Sequence, residues 1–297
     1  MPEPHVVLPA PKVAAIRFQA VLYILLSLKM LAGNPANAAT LKPEAVQGWS
    51  RYVAITEARI EREQTNPSHF LWIDLMPDEQ KKSAETRLSR GQVIIERLQT
   101  NDEGAAIKTP GALIHHWIGL AFIRGATLKQ ALALVQDYNN HHNVYKPEVE
   151  RSELISRDGD DFKIFLRYRK KKIITVVLNT YHDVHYHVLD PQHAHCRSYT
   201  TRLTEVENPG TSQEHERSPE DQNGFMWRMN TYWRFEERNG GVYLQCEAIT
   251  LTRSVPFALR WLIEPYITSI PHESLTETMN HTRDALATSA SQVQNFH

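Results

Sequence analysis

The sequence predicts an α+β fold: a curved antiparallel β-sheet gripping a long C-terminal helix, preceded by an N-terminal helical extension. Three observations predict it. Between residues 148 and 252 about six segments alternate apolar and polar residues with period two, separated by turn residues. From 256 to 286 the apolar spacing changes to that of a helix. A sheet of this kind leaves a face to be covered, and the terminal helix alone is extended enough to cover it.

Composition bounds the function. The 33 Lys and Arg residues nearly balance 34 Asp and Glu, which argues against a nucleic-acid partner. Two cysteines, Cys196 and Cys246, exclude a disulfide scaffold. They fall on strands flanking a third, about 10 Å apart, so two free buried thiols are expected. There is no Gly-rich phosphate loop, no G-x-S-x-G elbow, no H-E-x-x-H and no Cys-x-x-Cys. No cofactor and no catalytic motif are expected.

The elements follow in order. Residues 1–38 read as an export signal. Lys12 and Arg17 precede the apolar run 18–28 (FQAVLYILLSL), and Ala36-Asn37-Ala38 fits a small-x-small cleavage pattern. The run is shorter than the roughly 20 residues of a bilayer span. Cleavage implies a periplasmic or secreted protein with no stable membrane span after signal removal. An uncleaved anchor and a buried amphipathic helix are the other readings. Residues 39–90 form the helical extension, with Val46, Trp49, Val53 and Ile60 near one face and a second helix from Pro77 to Gly91. Segments 92–100 and 111–123 read as strands. Thr127 caps a helix whose apolar side carries Leu128, Ala131, Leu132 and Val135.

Strands are expected at about 148–157, 160–169, 173–188, 193–206, 224–236 and 240–252, with Asp158-Gly159 and Asn239-Gly240 as hairpin turns. The polar stretch 208–223 reads as a mobile loop. A helix starting at Pro256 breaks at Pro271 and resumes with Ser274 and Glu277 as a capping box. Leu275, Met279 and Leu286 continue its apolar face. The domain proper spans 91–290, and 291–297 is a frayed tail, with fraying expected from Ser289.

Four segments carry a family resemblance: 126–149, 169–180, 224–256 and 269–286. Asp137, Tyr138, Tyr145, Pro147 and Val149 form a "D-Y…Y-x-P-x-V" exit from the mid-length helix. The chain resembles the START-like helix-grip superfamily from Gly91 to Ala287, and within it a group of secreted bacterial START-like proteins whose function is open. The resemblance implies a sheet folded around the last helix, with a cavity between them for a lipid, sterol or polyketide. Some members are cyclases or hydrolases, so the fold transfers and the function does not.

The alternation predicts the cavity wall. Trp227, Met229 and Trp233 share a strand face, and Leu244 and Ala248 should join them, with Tyr266, Leu275 and Met279 facing from the helix. An aromatic ligand wall and a filled core both fit this pattern. Arg228, Arg234 and Glu247 read as an outer solvated face. His185, His187, His193 and His195 flank a reversal at Asp190-Pro191. A three-residue loop would set His187 opposite His195, a geometry suited to a metal such as zinc, whereas a two-residue loop would split the pairs. Of His115 and His116, one should face solvent and the other the core. His281 reads as exposed. The basic run Arg167-Tyr168-Arg169-Lys170-Lys171-Lys172 reads as a solvated hairpin tip or an anionic headgroup contact. The expected partner is an apolar small molecule or lipid. An enzyme using the same cavity, and an interaction module whose 41–90 helices plug it, are the alternatives. Oligomeric state has no signature in the sequence.

Overall fold

The computed structural model describes residues 40–172, 174–254 and 260–294, with Pro67, 260–268 and 292–294 described for the backbone alone. The export signal, the helix start at Pro256 and the side chain of Tyr266 lie outside the described residues.

Helix α1 (Pro43–Gln64) opens with proline at its first position, where the missing N–H is no loss. Two short 3₁₀ turns, Pro67–His69 and Trp72–Leu75, lead to α2 (Asp78–Ser89). Strands β1 (Ile94–Arg97), β2 (Asn101–Asp102), β3 (Ala105–Ala106) and β4 (Ala112–Arg124) follow. Then come α3 (Leu128–Gln136) and the single turn α4 (His141–Val144). Thr127 caps α3 as expected, accepting from Gln130 N–H.

The meander is β5 (Val149–Asp158), β6 (Asp161–Lys171), β7 (Thr175–Val188), β8 (His193–Glu207), a short β9 (His215–Glu216), β10 (Arg228–Arg238) and β11 (Gly241–Arg253). Helix α5 (Arg260–Gln294) closes the chain. The main sheet is antiparallel, in the order β1-β4-β11-β10-β8-β7-β6-β5, with β9 on β8. Asn239 and Gly240 both take positive φ, as a two-residue hairpin turn requires, and Arg238 pairs with Gly241. The other predicted hairpin is offset by a residue: Asp158 pairs with Asp161, so Gly159 and Asp160 form the loop. The edge strands are irregular or brief. β5 has two register shifts and carries Glu150, Arg151 and Glu153, and β1 pairs over four residues.

Period-two alternation divides the sheet into an inner face and an outer face, the outer one buried over β1, β4, β11 and β10 and exposed over much of β5, β6 and β7. Inside, Ala121, Ile164, Val184, Phe235, Val242 and Leu244 pack with Leu275, Met279 and Leu286 of α5. Gly119 makes this contact possible. A Cβ there would lie 2.8 Å from Met279 Cγ and 2.9 Å from Ile95 Cδ1. Outside, the N-terminal extension forms a third layer. Trp49, Tyr52 and Ile60 of α1 cover Tyr232, Ile249 and Leu251. Phe70, Leu71, Ile73 and Leu88 cover Ile118, Leu120, Phe122 and Tyr243. β4 is therefore buried on both sides, which explains its nearly unbroken apolar run.

This third layer corrects several expectations. Arg234 and Glu247 are buried under α1, each 1% exposed, and do not form a solvated face. Arg234 donates to Phe70 O (2.7 Å) and Glu63 Oε2 (2.6 Å). Glu247 accepts from Arg59 and lies 2.7 Å from His116 Nε2. Burial pushes the Glu247 carboxyl up, but the His116 hydrogen bond and the Arg59 and Arg234 charges outweigh it and hold it below its usual range. His115 and His116 point to opposite faces as expected, yet both are buried because both faces are covered. The 41–90 helices sit on the face away from α5 and do not plug the inner side.

Other corrections are local. Pro271 lies inside one continuous α5, so Ser274 and Glu277 are mid-helix and form no cap. Proline removes one backbone bond, and the turns beyond it remain held through Leu275 and Met279 on the sheet. The helix runs past Ser289 to Gln294. The 208–223 loop is tied down: buried Glu205 accepts from Asn223 N–H, Asn223 Nδ2 and Phe225 N–H at 2.7–2.9 Å.

Candidate ligand cavity

A cavity of about 510 Å³ lies between the inner face and α5. Every inner strand from β4 through β11 to β5 contributes to its wall, because the sheet folds round the helix without meeting it along its full width. Trp117, Ile164, Leu166, Leu178, Met229 and Trp233 supply much of its apolar surface. Its volume falls within the roughly 300–1,000 Å³ of small-molecule pockets.

At one end Tyr138, Tyr186 and His141 form a hydrogen-bonded group. The two tyrosine hydroxyls are 2.7 Å apart, and His141 Nε2 lies 3.1 Å from Val135 O. In mid-wall His182 bridges Thr180 Oγ1 (2.8 Å) and Ser198 Oγ (3.3 Å). Burial lowers His115, His141 and His182 to about 4, helped for His115 by the Arg97 charge. These lining imidazoles are neutral at neutral pH.

The opposite end is charged but paired. Lys170 contacts Glu148 and lies 3.1 Å from Glu277, and Ser274 Oγ is 3.4 Å from Glu148. Burial, then the neighbouring Glu277 carboxyl, pushes Glu148 up to about 7 against the pull of Lys170. Glu277 is held low, first by its hydrogen bond with Glu148. Of the two carboxyls, Glu148 is the one that takes up the shared proton first as pH falls. Most of the remaining basic run is paired as well: Arg167 pairs with Glu150 and Glu214, Arg169 with Glu150, and Lys172 with Glu273. The solvated-tip reading holds for exposed Lys171 and fails for the paired arginines.

A pH dependence follows. Because the folded Glu148 is raised above its unfolded value, its contribution is full below about 4.5 and is lost as pH rises through about 7. Partial exposure and coupling to Glu277 reduce the effect to about 1–2 kcal/mol. Urea unfolding at pH 5 and pH 8 should therefore show Glu148→Gln losing about 1–2 kcal/mol less than the wild type over that interval. Equal pH slopes would contradict the shared proton.

The wall holds some sequence-predicted residues and leaves others elsewhere. Met229, Trp233, Ala248 and Leu275 line the cavity. Leu244 and Met279 lie on the predicted face but fill solid core where helix and sheet touch. Trp227 belongs to the outer cluster with Trp49 and Tyr52. Its N–H donates to Leu251 O while Arg228 is in register with Leu251, so two residues oppose one and the alternation slips. His281 lines the cavity, contrary to its reading as exposed.

The four hairpin histidines do not form a metal centre. The loop has three residues, and His187 does oppose His195, with ring centroids 5.3 Å apart. But His185 pairs with Asp161, and His193 with Asp190 and Glu236. Among the described residues no group of three or more His, Cys, Asp or Glu side chains could hold a metal ion. Cys196 and Cys246 flank Trp233 on neighbouring strands as free buried thiols. Burial pushes the Cys196 thiol up to about 12, well away from nucleophilic use. Sequence reasoning missed Glu148, His115 and Thr250 as wall residues. For Glu148 the signal was a carboxylate at a strand start with lysine on the next strand.

A sheet folded round its last helix, with a void between them, decides the architecture. The fold is a helix grip, an antiparallel sheet closed by its last helix. Neither a protein-family model nor a curated protein matches the sequence. Solved structures similar to this helix-grip chain include TTHA0849 from Thermus thermophilus, with TM-score 0.43 and 12% identity over 58% of this chain and 97% of that one. A STAR-related lipid transfer protein fragment from Xanthomonas axonopodis gives 0.40 and 14% over 64% and 98%. The Zhui aromatase/cyclase from Streptomyces sp. R1128 gives 0.39 and 11% over 59% and 94%.

Proposed function

We propose that this helix-grip protein is exported, loses residues 1–38, and binds an apolar small molecule or lipid in the cavity. The carrying observation is the void itself: about 510 Å³ walled mainly by apolar side chains, with its lysines already paired. Affinity would come from burying ligand surface at about 25 cal/mol per Å², less the ordering costs. Among the described residues no helix is long and apolar enough to cross a membrane.

Trp117 and Trp233 line the cavity and should report occupancy. The apolar dye N-phenyl-1-naphthylamine is expected to bind one per chain, quench their emission, and bind at least about fivefold more weakly to Trp233→Ala. Native mass spectrometry of protein from its own host should show a co-purifying organic mass. No dye binding and no bound mass would remove the reading. An intact mass starting at Ala39 would support export, and a retained Met1 would oppose signal cleavage.

A second reading, acid–base catalysis on the bound molecule, is favoured by Glu148, a carboxyl near 7 on the cavity wall. It requires that Glu148→Gln abolish turnover of a ligand it still binds.

A further inference from the structure

Resting on the cavity-binding reading, we infer that the bound molecule carries a neutral oxygen, a hydroxyl or carbonyl, seated against Thr250 and His115. The wall is apolar where Ala248 faces Trp117. One step along the same two strands it turns polar: Thr250 stands directly opposite His115, and Thr252 follows on the same face. Both Thr250 and His115 line the void and are over nine-tenths buried.

Thr252 Oγ1 already bonds His115 Nε2 at 3.0 Å. The Thr250 hydroxyl has no partner. Buried hydroxyls are paired in the great majority of cases, because the unpaired group keeps the whole cost of leaving water. The Thr250 oxygen is sealed in the wall, so meeting an occupant would require a rotation about χ1 that turns it towards the void. An occupant with an oxygen at that point would supply the missing bond. Beside it, the neutral imidazole of His115 carries one N–H and one acceptor nitrogen.

The same site disfavours a carboxylate. His115 resists protonation in its buried setting, with the Arg97 charge adding to that resistance. The lysines lining the cavity are committed to Glu148, Glu277 and Glu273, and Arg253 is engaged too. A charged head would lose its hydration without gaining a counter-ion.

The test uses displacement of N-phenyl-1-naphthylamine by naphthalene, 2-naphthol, 2-acetylnaphthalene and 2-naphthoate. For the wild type, the alcohol or the ketone should bind about tenfold tighter than naphthalene, and naphthoate more weakly than either. Thr250→Val should reduce that preference to about twofold, and Thr250→Ser should keep it. Because the hydroxyl lacks a partner, Thr250→Val should melt at or above the wild-type temperature, so a folding defect is separable. Equal affinities across the four compounds, or a preference that survives Thr250→Val, would overturn the assignment while leaving the binding function intact. Failure of both the dye and naphthalene to bind would overturn both.

Discussion

Arg234→Met is expected to cost about 3–5 kcal/mol of unfolding free energy. Arg234 lies on β10 beneath α1 and is 1% exposed. Its guanidinium holds Glu63 at 2.6 Å and the Phe70 carbonyl at 2.7 Å. It also contributes to keeping Glu247 ionised beneath the helix. Methionine fills much of the volume but leaves two carboxylates with Arg59 as their shared cation, and one Glu247 oxygen already lacks a partner. Removing one member of a buried charge group costs far more than the group contributes against an apolar replacement, because the survivors remain desolvated. Urea denaturation with Arg62→Met as an exposed control measures this. A loss below about 1 kcal/mol would mean that the layer is wetter than its burial implies.

The second large effect is steric. Gly119→Val places a branched side chain where a Cβ alone would lie 2.8 Å from Met279 Cγ and 3.2 Å from Leu275 Cγ. Overpacking of this kind costs about 1–3 kcal/mol, and here the upper end is expected because sheet and helix are both fixed elements. The helix must move off β4, so dye binding should weaken together with stability. Retained dye affinity with a wild-type melting temperature would show that α5 can shift without disturbing the cavity.

The strands were legible because period-two alternation and turn residues are local. Every predicted strand of the meander is present, with ends displaced by a few residues. The outer polar layer was not legible. Arg234 and Glu247 alternate like solvated residues, and their partners Glu63 and Arg59 lie more than 170 residues earlier. The unbroken apolar run of β4 carried a signal of two-sided burial, and it bears on His115 and His116 alike. In the cavity wall, parity put Met229, Trp233 and Ala248 on the side where the void lies. Trp227 escaped because a slip of one residue reverses a side chain. Leu244 and Met279 show the other limit: alternation names a face, but not which part of it is hollow.

The margins of the sheet carry a consequence for behaviour in crowded solution. A strand with a free flank can template another chain through its unpaired N–H and C=O groups. Here β5 is broken by two register shifts and studded with charge, and β1 offers four residues. Neither side presents a long, flat row of docking groups, so the protein can hold a greasy interior at high concentration without inviting its neighbours to extend the sheet into a fibre.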